Sequence, residues 1–326
     1  MNNSVGEILR ITIFGASHAG EVGITLEGVP AGILLSENLF ASDLERRRPQ
    51  LRGETPRREE DTPIIEGLDA ECRTTGDAVT IRFRNNNRRS GDYSRFEYHP
   101  RPSHADLVQR RKYGEGYDIS GGGMASGRMT VALVAAGVVA KQILANISYD
   151  TRLVQVGAER DAERFDEVIA EAARMGDSVG GIVECRAMGV PCSLGEPFFD
   201  SVESVVSHLL FSIPGVKGVE FGDGFAGVAK YGSERNDAIV DASGLTATNN
   251  EGGINGGISN GNDIVVRVAL KPTPSIAKEQ STYDFERGEC APLHVGGRHD
   301  SCIARRAAVV VEAMVALALA DLKLRA

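Results

Sequence analysis

Three of the six histidines lie in short polar loops where an imidazole could exchange protons with a ligand. His18 lies in FGASHAG, His104 in HPRPSHAD and His299 in VGGRHDSC. An imidazole titrates near neutral pH, and loops carried on a rigid scaffold commonly hold catalytic groups. Each of these histidines taken alone is more often structural than catalytic. The prediction of acid–base chemistry therefore depends on the three together.

Arginines are concentrated in two stretches of the chain, 46–58 and 88–101. A guanidinium group matches carboxylate and phosphate groups with paired hydrogen bonds, so converging arginines predict a small, multiply anionic ligand. The alternative is a solvated basic loop paired with Glu54, Glu59, Glu60 and Asp61, and we favour it for Arg57 and Arg58. The arginines concerned are Arg46, Arg47, Arg48, Arg52, Arg57, Arg58, Arg88, Arg89, Arg95 and Arg101.

Two glycine-rich runs could bring backbone N–H groups to the same ligand. SGGGMASGR at 120–128 precedes a helical pattern, so its N–H groups could face an anion at a helix amino end. EGGINGGISNG at 251–261 is followed by a strand pattern and then by KPTPS at 271–275, which carries one cation and two hydroxyls. Neither run matches a Walker A motif or a strand-linked GxGxxG. Each run alone is more often a turn than a phosphate site.

The elements that must position these loops can be predicted from apolar spacing. Apolar residues that alternate predict strands, and apolar residues three or four apart predict helices. The expected strands are 11–14, 22–26, 78–84, 180–187 and 264–270. The expected helices are Ser36 to about Arg48, Ser126 to about Ile147, Asp161 to Gly176, and Cys302 to about Arg325. In the helix that Gly176 ends, Phe165, Val168, Ala172 and Met175 are expected to share one face. The helices that begin at Ser126 and Cys302 are apolar nearly all round, which is typical of buried helices.

Composition excludes several classes of protein. The 326 residues carry a formal net charge of −9, which disfavours a nucleic-acid partner. Five scattered cysteines without a CxxC pair predict reduced thiols in a cytoplasmic protein, with neither a disulfide framework nor a metal site. We see no secretory signal, and the longest apolar stretch, 307–320, is shorter than the roughly 20 residues that a bilayer requires. The short apolar stretches lead us to expect no membrane partner. No linker divides residues 1–326, so we expect one α+β domain.

Read in order, these loops closely resemble the chorismate synthase family. The resemblance extends from about Val5 to about Leu319, which is essentially the whole chain. The matching segments are FGASHAG, EGVPAGI, DLERRRP, NNNRRSGDYS, RPSHADL, KYG, SGGGMASGR, VKGVEFGDGF, GSERND, NNEGGINGGISNG, KPTPSI, GGRHDSC and VEAM.

The resemblance implies a fold, a reaction and a cofactor. The implied fold is an α+β sandwich of helices between antiparallel sheets, assembled as a homotetramer. The implied reaction is the 1,4-anti elimination of phosphate from 5-enolpyruvylshikimate 3-phosphate to give chorismate, which is carbon–oxygen lyase chemistry. It requires reduced FMN although it is redox-neutral overall. NADPH is implied only indirectly, as a reductant of the flavin.

The resemblance also implies roles for individual residues. His18 lies near the leaving phosphate, His104 lies against the flavin, and Asp300 is linked to removal of the ring hydrogen, with His299 only a neighbour. The implied substrate-binding residues are Arg47, Arg52, Arg101, Ser126, Arg128 and Arg298. The implied cofactor-binding residues are Ala125, Ser126, Pro214, Gly215, Gly256, Lys271, Pro272, Thr273, Pro274, Ser275 and Arg298, with Lys271 at the FMN phosphate.

Two loops depart from the family's usual motifs. In GESHG, Ala16 and Ala19 replace the glutamate and the second glycine. In GGGRSSARET, Met124, Ala125, Gly127 and Met129 replace Arg, Ser, Ala and Glu. These changes leave two alternatives open: a diverged lyase acting on another phosphorylated cyclic acid, and a flavin- or anion-binding protein without catalysis. Because His18, His104, Arg128 and Asp300 remain, we favour an active enzyme.

Overall fold

Two antiparallel sheets and two small hairpins contain the strands of the computed structural model, which describes residues 3–49, 54, 59–86, 93–297 and 299–326. The first sheet has the order β1-β2-β3-β5-β4 and the second the order β6-β7-β11-β8, while β9 pairs with β10 and β12 with β13. The strands are β1 (Ser4–Val5), β2 (Arg10–Gly15), β3 (Glu21–Glu27), β4 (Ile64–Glu66), β5 (Val79–Arg84), β6 (Ser148–Val156), β7 (Gly181–Met188), β8 (Val216–Phe221), β9 (Ile254–Asn255), β10 (Ile258–Ser259), β11 (Ile264–Leu270), β12 (Gln280–Asp284) and β13 (Glu289–Leu293).

The helices connect the sheets and fill the space between them. They are α1 (Glu37–Arg47), α2 (Asp106–Tyr113), α3 (Thr130–Ile143), α4 (Phe165–Arg174), α5 (Val202–Phe211), α6 (Gly232–Arg235) and α7 (Ile303–Arg325). Short 3-10 turns lie at Ser94–Glu97, Ser120–Ala125, Gly127–Met129, Ala162–Arg164, Phe198–Asp200 and Gly224–Ala229. No helix in these ranges is long and apolar enough to cross a membrane.

The two long helices form the middle of the molecule. Helix α3 packs on β3 and β5 of the first sheet, α7 packs on β6 and β7 of the second, and the two helices pack on each other. A Cβ added at Gly137 of α3 would lie only 2.3 Å from the Cβ of Ala313 in α7, so glycine permits this close approach. One hydrophobic cluster runs through both sheets and both helices. The predicted sandwich, with buried helices between antiparallel sheets, is confirmed.

The predicted strands are all present, with small shifts at their ends. In β5, for example, Val79, Ile81 and Phe83 are fully buried, because alternate residues of a strand face the same side. The long apolar helix begins at Thr130 rather than Ser126 and ends at Ile143 rather than Ile147. It begins later because Ser126 starts a separate turn, in which its side chain accepts a hydrogen bond from the N–H of Arg128.

The helix predicted to begin at Asp161 needs two corrections. Asp161 caps a 3-10 turn before α4 begins at Phe165, and its carboxylate accepts a hydrogen bond from the Glu163 N–H. Met175 is 51% exposed, so it does not share the buried face, which contains Ile169 instead. Helix α2 was not predicted, because its sequence DLVQRRKY has too few apolar residues for a visible period.

Candidate functional site

A cavity of about 570 Å³ lies where the carboxyl end of α1 meets the amino ends of α3 and α7. This volume is within the usual range, about 300–1,000 Å³, for pockets that bind small molecules. Most of the predicted site residues line it, although they come from distant parts of the chain. They are Arg47, Arg101, His104, Ala125, Ser126, Arg128, Pro214, Gly215, Lys271, Thr273, Pro274, Ser275 and Asp300.

Other predicted site residues do not line the cavity or fall outside the described ranges. His18 lies directly behind the wall, and Pro272 lies between two lining residues and close to Gly180. Gly256 lies in the turn of the β9–β10 hairpin. This hairpin is attached to the start of α5, because the Gly257 carbonyl accepts a hydrogen bond from the Val202 N–H. Within this chain, Gly256 is therefore not part of the cavity. Arg52 and Arg298 lie outside the described residues.

The first histidine loop packs against the glycine-rich loop. Gly121 has a φ of 60°, and a Cβ there would lie 2.5 Å from Cε1 of His18 and 2.7 Å from Oγ of Ser17. The N–H of Ser17 donates to the Gly123 carbonyl at 3.2 Å, and the Tyr93 ring meets the His18 ring edge-on at 5.2 Å. Only glycine allows this approach, so the glycine-rich loop holds His18 and Ser17 against the cavity wall.

The second histidine belongs to a buried ionic group. The carboxylate of Asp106 accepts two hydrogen bonds from the guanidinium of Arg101, at 2.8 Å from Nε and 2.7 Å from Nη2. Nδ1 of His104 lies 2.6 Å from Oδ1 of the same carboxylate. Arg101 also donates from Nη1 to Oγ of Ser275 at 3.0 Å. These contacts fix the plane of the Arg101 guanidinium at the cavity wall.

The electrostatics of this group define the state of His104. Burial would raise the pKa of Asp106, but hydrogen bonds from Arg101 and His104 outweigh burial and hold that pKa well below its usual range. Asp106 is therefore an ionised acceptor, and the proton lies on Nδ1 of His104. Burial lowers the pKa of His104 more than its hydrogen bond to Asp106 raises it, so the ring is neutral at pH 7. Nε2 then carries the lone pair.

A second ionic group connects α1 with the start of α3. Arg47 and Arg128 are both buried, and each donates from Nη1 to a different oxygen of the Asp61 carboxylate. Burial lowers the pKa of Arg47 to about 9, Asp61 opposes this change, and the charges of Arg306 and Arg128 add to it. Asp61 was predicted to pair with the loop arginines Arg57 and Arg58. Asp61 contacts Arg47 and Arg128 instead among the described residues, and Arg57 and Arg58 lie outside them.

The predicted acid Asp300 has a fixed orientation. Arg306, on the first turn of α7, donates from Nη1 to Oδ2 of Asp300 at 2.8 Å and from Nε to the Arg47 carbonyl at 3.0 Å. The Thr273 hydroxyl donates to the Asp300 backbone carbonyl at 2.7 Å. Asp300 is thus held from α7 and from the 271–275 segment, and Arg306 connects it to the end of α1.

His299, expected to be only a neighbour, also lines the cavity. Burial lowers its pKa, and the nearby Arg101 charge lowers it further. Its Nε2 is buried without a hydrogen-bond partner among the described residues, as is Oγ of Ser17. Buried polar atoms are nearly always hydrogen-bonded in native proteins. Both atoms therefore point to a ligand that supplies the missing partners.

The 271–275 segment forms the opposite wall. The N–H of Lys271 donates to the Gly215 carbonyl at 2.9 Å, and its Nζ donates to the Ser103 carbonyl at 2.7 Å. Burial lowers the pKa of Lys271, and the charge of the nearby Lys217 lowers it further. Lys271, Thr273 and Ser275 place one ammonium and two hydroxyl groups along one side of the cavity.

The sequence profile that matches this chain covers the whole arrangement. It is the profile of chorismate synthase, and it matches residues 9–324. The chain belongs to the chorismate synthase family. Members named as chorismate synthases support the same lyase activity here, and family membership implies a dependence on reduced flavin.

Individual relatives agree with the profile. The chorismate synthase of Chitinophaga pinensis is 54% identical over 323 residues, covering 99% of this chain and 96% of that protein. The chorismate synthase of Methanobrevibacter smithii is 41% identical over 355 aligned residues, covering 100% of this chain and 97% of that protein. A crystal structure of chorismate synthase superposes with a TM-score of 0.76 at 27% identity, covering 98% of this chain and 93% of that one.

A flavin fits the side chains that the cavity offers. The ammonium and hydroxyl groups of Lys271, Thr273 and Ser275 suit a phosphate, and the unpartnered Ser17 and His299 atoms provide polar contacts. Among the described residues, no group of three or more His, Cys, Asp or Glu side chains is placed to hold a metal ion.

Several lining residues were not predicted from the sequence. They include Ser17, Tyr93 and Asp61, together with Arg306, which orients Asp300. A signal was available for Arg306, which lies six residues after Asp300, at the start of a predicted helix. None was available for Asp61, because an acid within an arginine-rich stretch is equally typical of a solvated loop.

Proposed function

We propose that this cavity eliminates phosphate from 5-enolpyruvylshikimate 3-phosphate to give chorismate, with reduced FMN as cofactor. The observation that supports this proposal best is the convergence of three charged groups on one cavity. They are the Arg101–Asp106–His104 group, the Arg47–Asp61–Arg128 group and the Arg306–Asp300 pair. A substrate with one phosphate and two carboxylates needs cations on several sides, together with groups that move protons.

Cations bind the substrate in this proposal. Arg47 and Arg128 present guanidinium groups at the wall formed by α1 and the start of α3, where the phosphate of the substrate would lie. Ser126 caps the turn that carries Arg128, since its Oγ accepts a hydrogen bond from the Arg128 N–H at 3.3 Å. Arg101, which lines the cavity, completes the proposed set of substrate-binding residues together with Arg52 and Arg298, which lie outside the described residues.

Proton handling is divided among three side chains. His18, behind Gly121, protonates or stabilises the leaving phosphate oxygen. Asp300, oriented by Arg306, accepts the ring hydrogen. His104 holds a proton near the flavin, through an imidazole whose orientation is fixed by Asp106. Each of these groups is partly or fully buried, which excludes water from the reacting atoms.

Reduced FMN, when bound, donates electron density transiently so that phosphate can leave. The residues proposed to hold FMN are Ala125, Ser126, Pro214, Gly215, Lys271, Pro272, Thr273, Pro274, Ser275 and Arg298, without Gly256, which lies on a separate hairpin. Lys271 would bind the FMN phosphate, whose negative charge would offset the burial and the nearby Lys217 charge that lower the pKa of Lys271. NADPH would act only indirectly, as the reductant of free flavin supplied by another protein.

Two of the substituted residues, Ala125 and Gly127, line the cavity, whereas Ala16, Met124 and Met129 do not. Met129 is 3% exposed in the hydrophobic core, and Met124 lies near Asn3 at a distance of 4.0 Å from Sδ to Nδ2. Ala16 contributes its backbone carbonyl, which accepts a hydrogen bond from the Asn85 amide at 3.1 Å. None of these three residues lines the cavity.

One assay distinguishes the proposed reaction from both alternatives. Purified protein is incubated anaerobically with reduced FMN and the enolpyruvyl substrate, and phosphate release and chorismate absorbance are followed. Formation of both products supports the proposal. Tight flavin binding without turnover would identify a binding protein, and turnover of a different phosphorylated cyclic acid alone would identify a diverged lyase.

Two variants of this assay address the roles and the reductant. His18→Ala should lower turnover by about a hundredfold, the usual scale for general acid–base groups, while flavin binding survives. An equal loss of flavin affinity would indicate a structural role for His18. Sustained aerobic turnover with NADPH and oxidised FMN would contradict the proposed external reductant.

We also propose a cytoplasmic homotetramer in which residues 1–326 form one domain. The continuous hydrophobic cluster supports a single domain. Large apolar side chains on the surface support assembly, since Phe199 is 91% and Phe225 is 81% exposed in the single chain. Light scattering on the purified protein tests this, and a monomer would contradict the proposed assembly.

A further inference from the structure

Asp61 lies between two buried arginines at the proposed phosphate-binding wall. It is 6% exposed, and its two carboxylate oxygens serve different partners. Oδ2 accepts a hydrogen bond from Nη1 of Arg47 at 3.3 Å, and Oδ1 accepts one from Nη1 of Arg128. The carboxylate therefore joins a residue at the end of α1 to a residue just before α3.

The other corners of both guanidinium groups are already fixed. Arg47 donates from Nε to Oγ1 of Thr130 at 3.0 Å and from Nη2 to the Gly127 carbonyl at 2.9 Å. Arg128 donates from Nε to Oδ1 of Asn85 at 2.8 Å. A guanidinium group is planar and rigid, so these bonds set its plane without Asp61. What Asp61 adds is a contact on the Nη1 side of both arginines, together with one negative charge.

The negative charge of Asp61 changes how strongly this wall attracts an anion. The guanidinium groups of Arg47 and Arg128 both contact Asp61, so their positive charges lie close together and repel each other. The Asp61 carboxylate leaves the three residues with one net positive charge instead of two. Without the Asp61 carboxylate, Arg47 and Arg128 would attract an anion more strongly, since Coulomb interactions are large in a partly desolvated site. An enzyme that releases free phosphate gains from moderate attraction, because product held too tightly would slow each turnover.

We propose that Asp61 is a positioning residue, an internal counter-ion that shares its carboxylate between Arg47 and Arg128 and limits how tightly this wall binds phosphate. The proposal rests on the proposed function, which assigns a phosphate to these arginines. Asp61 acts through the arginines and does not itself react.

The test uses the backbone conformation of Asp61. Its φ of 50° lies in the left-handed region, which asparagine tolerates as well as aspartate does. Asp61→Asn therefore removes the charge with little backbone strain. Asp77→Asn is the matched control, because Asp77 is exposed in a turn where its side chain contacts Thr75, outside the cavity.

Binding of inorganic phosphate to the flavin-free protein is measured by isothermal titration calorimetry at two salt concentrations. Asp61→Asn should bind phosphate tighter by about fivefold or more, with a steeper salt dependence, while Asp77→Asn matches the wild type. Equal or weaker binding by a folded Asp61→Asn protein would overturn the proposal, as would a wild type that binds no phosphate. A merely structural role would lower the melting temperature without tightening phosphate binding.

A second pair of variants keeps the proposal testable if Asp61→Asn does not fold. Arg128→Gln leaves Arg47 and Asp61 with no net charge, so phosphate affinity should fall about tenfold or more. The double variant Asp61→Asn with Arg128→Gln restores one net positive charge, and phosphate affinity should recover. No recovery would overturn the proposal. Because these readouts need no turnover, failure of the proposed reaction is detected separately, in the anaerobic assay.

Discussion

Nδ1 of His104 lies 2.6 Å from Oδ1 of Asp106, and this contact decides which ring nitrogen is available to a ligand. Asp106 is 1% exposed, and hydrogen bonds from Arg101 and His104 hold its pKa below the usual range despite its burial, so its carboxylate accepts the hydrogen bond from Nδ1. Nε2 of His104 is left as the basic nitrogen, 3.7 Å from the point where a Cβ of Gly122 would lie. The imidazole that we propose to hold a proton near the flavin is thus oriented by a carboxylate two residues along the chain.

Replacement of Asp106 should impair His104 without removing it. In Asp106→Asn the fixed acceptor charge is lost, so we expect turnover to fall about tenfold to a hundredfold. The pKa of His104 should fall further, because the hydrogen bond to Asp106 raises it in the wild type. NMR titration of His104 and steady-state kinetics measure both effects. Asp284→Asn, which alters the His99–Asp284 pair outside the cavity, is the control; an unchanged His104 pKa in Asp106→Asn would contradict the assignment.

Stability should decline as pH falls below about 6.5. Burial lowers the pKa of both His104 and His299 below the ordinary value of 6.5. Between 6.5 and those lower values the unfolded chain binds protons that the folded state refuses, so unfolding becomes easier as pH falls. The urea concentration at the midpoint of unfolding, measured from about pH 8 to about pH 5, tests this effect. His299→Asn should flatten the decline, and an equally steep decline in that variant would show that His299 does not contribute.

Gly121→Ala should damage the site more than its backbone strain explains. Its Cβ would lie 2.5 Å from Cε1 of His18, so the His18 loop must move. Gly116→Ala is a matched control, because Gly116 also has a positive φ but has no atom within 4 Å of an added Cβ. Both variants should lose about 1–2 kcal/mol from the left-handed conformation. Only Gly121→Ala should lower turnover by about tenfold or more, as expected for a misplaced general acid; equal activity in the two variants would contradict the role of this contact.

Arg306 should be needed for the orientation of Asp300. Arg306→Lys keeps the positive charge but loses the planar group that binds Asp300 and the Arg47 carbonyl together. We expect kcat to fall about tenfold with little change in KM, because Asp300, the acid proposed to take part in removal of the ring hydrogen, is displaced. Arg305→Lys is the control, since Arg305 binds Asp166 and does not line the cavity. A fall in kcat of equal size in both variants would indicate a general effect on α7.

Gly137 should be required for the packing of α3 on α7. Alanine has the higher helix propensity, but its Cβ would lie 2.3 Å from that of Ala313. Overpacking of this kind costs about 1–3 kcal/mol, so Gly137→Ala should melt about 2–6 °C lower than the wild type. Gly232→Ala, in the short helix α6 where an added Cβ meets no atom within 4 Å, should not. A Gly137→Ala protein as stable as the wild type would show that the helices separate easily.

The sequence by itself determined the family and the strands and helices with the clearest apolar period. Alternation in Val79–Arg84 and the apolar run of Ile303–Arg325 predict a strand and a buried helix, because side-chain periodicity is a local property. The ordered loop motifs identify the family for the same reason, since each is a short continuous string. They also supplied most of the residues that line the cavity, including His104 and Asp300.

Only the tertiary structure decided which of those residues meet. Asp61 and Arg128 are 67 positions apart, and Arg101 and Ser275 are 174 apart, yet each pair shares a hydrogen bond. Such contacts depend on how the sheets and helices pack, which no local pattern encodes. The same packing places His18 behind the cavity wall and keeps Gly256 on a separate hairpin. The charge balance of the site is therefore a property of the fold.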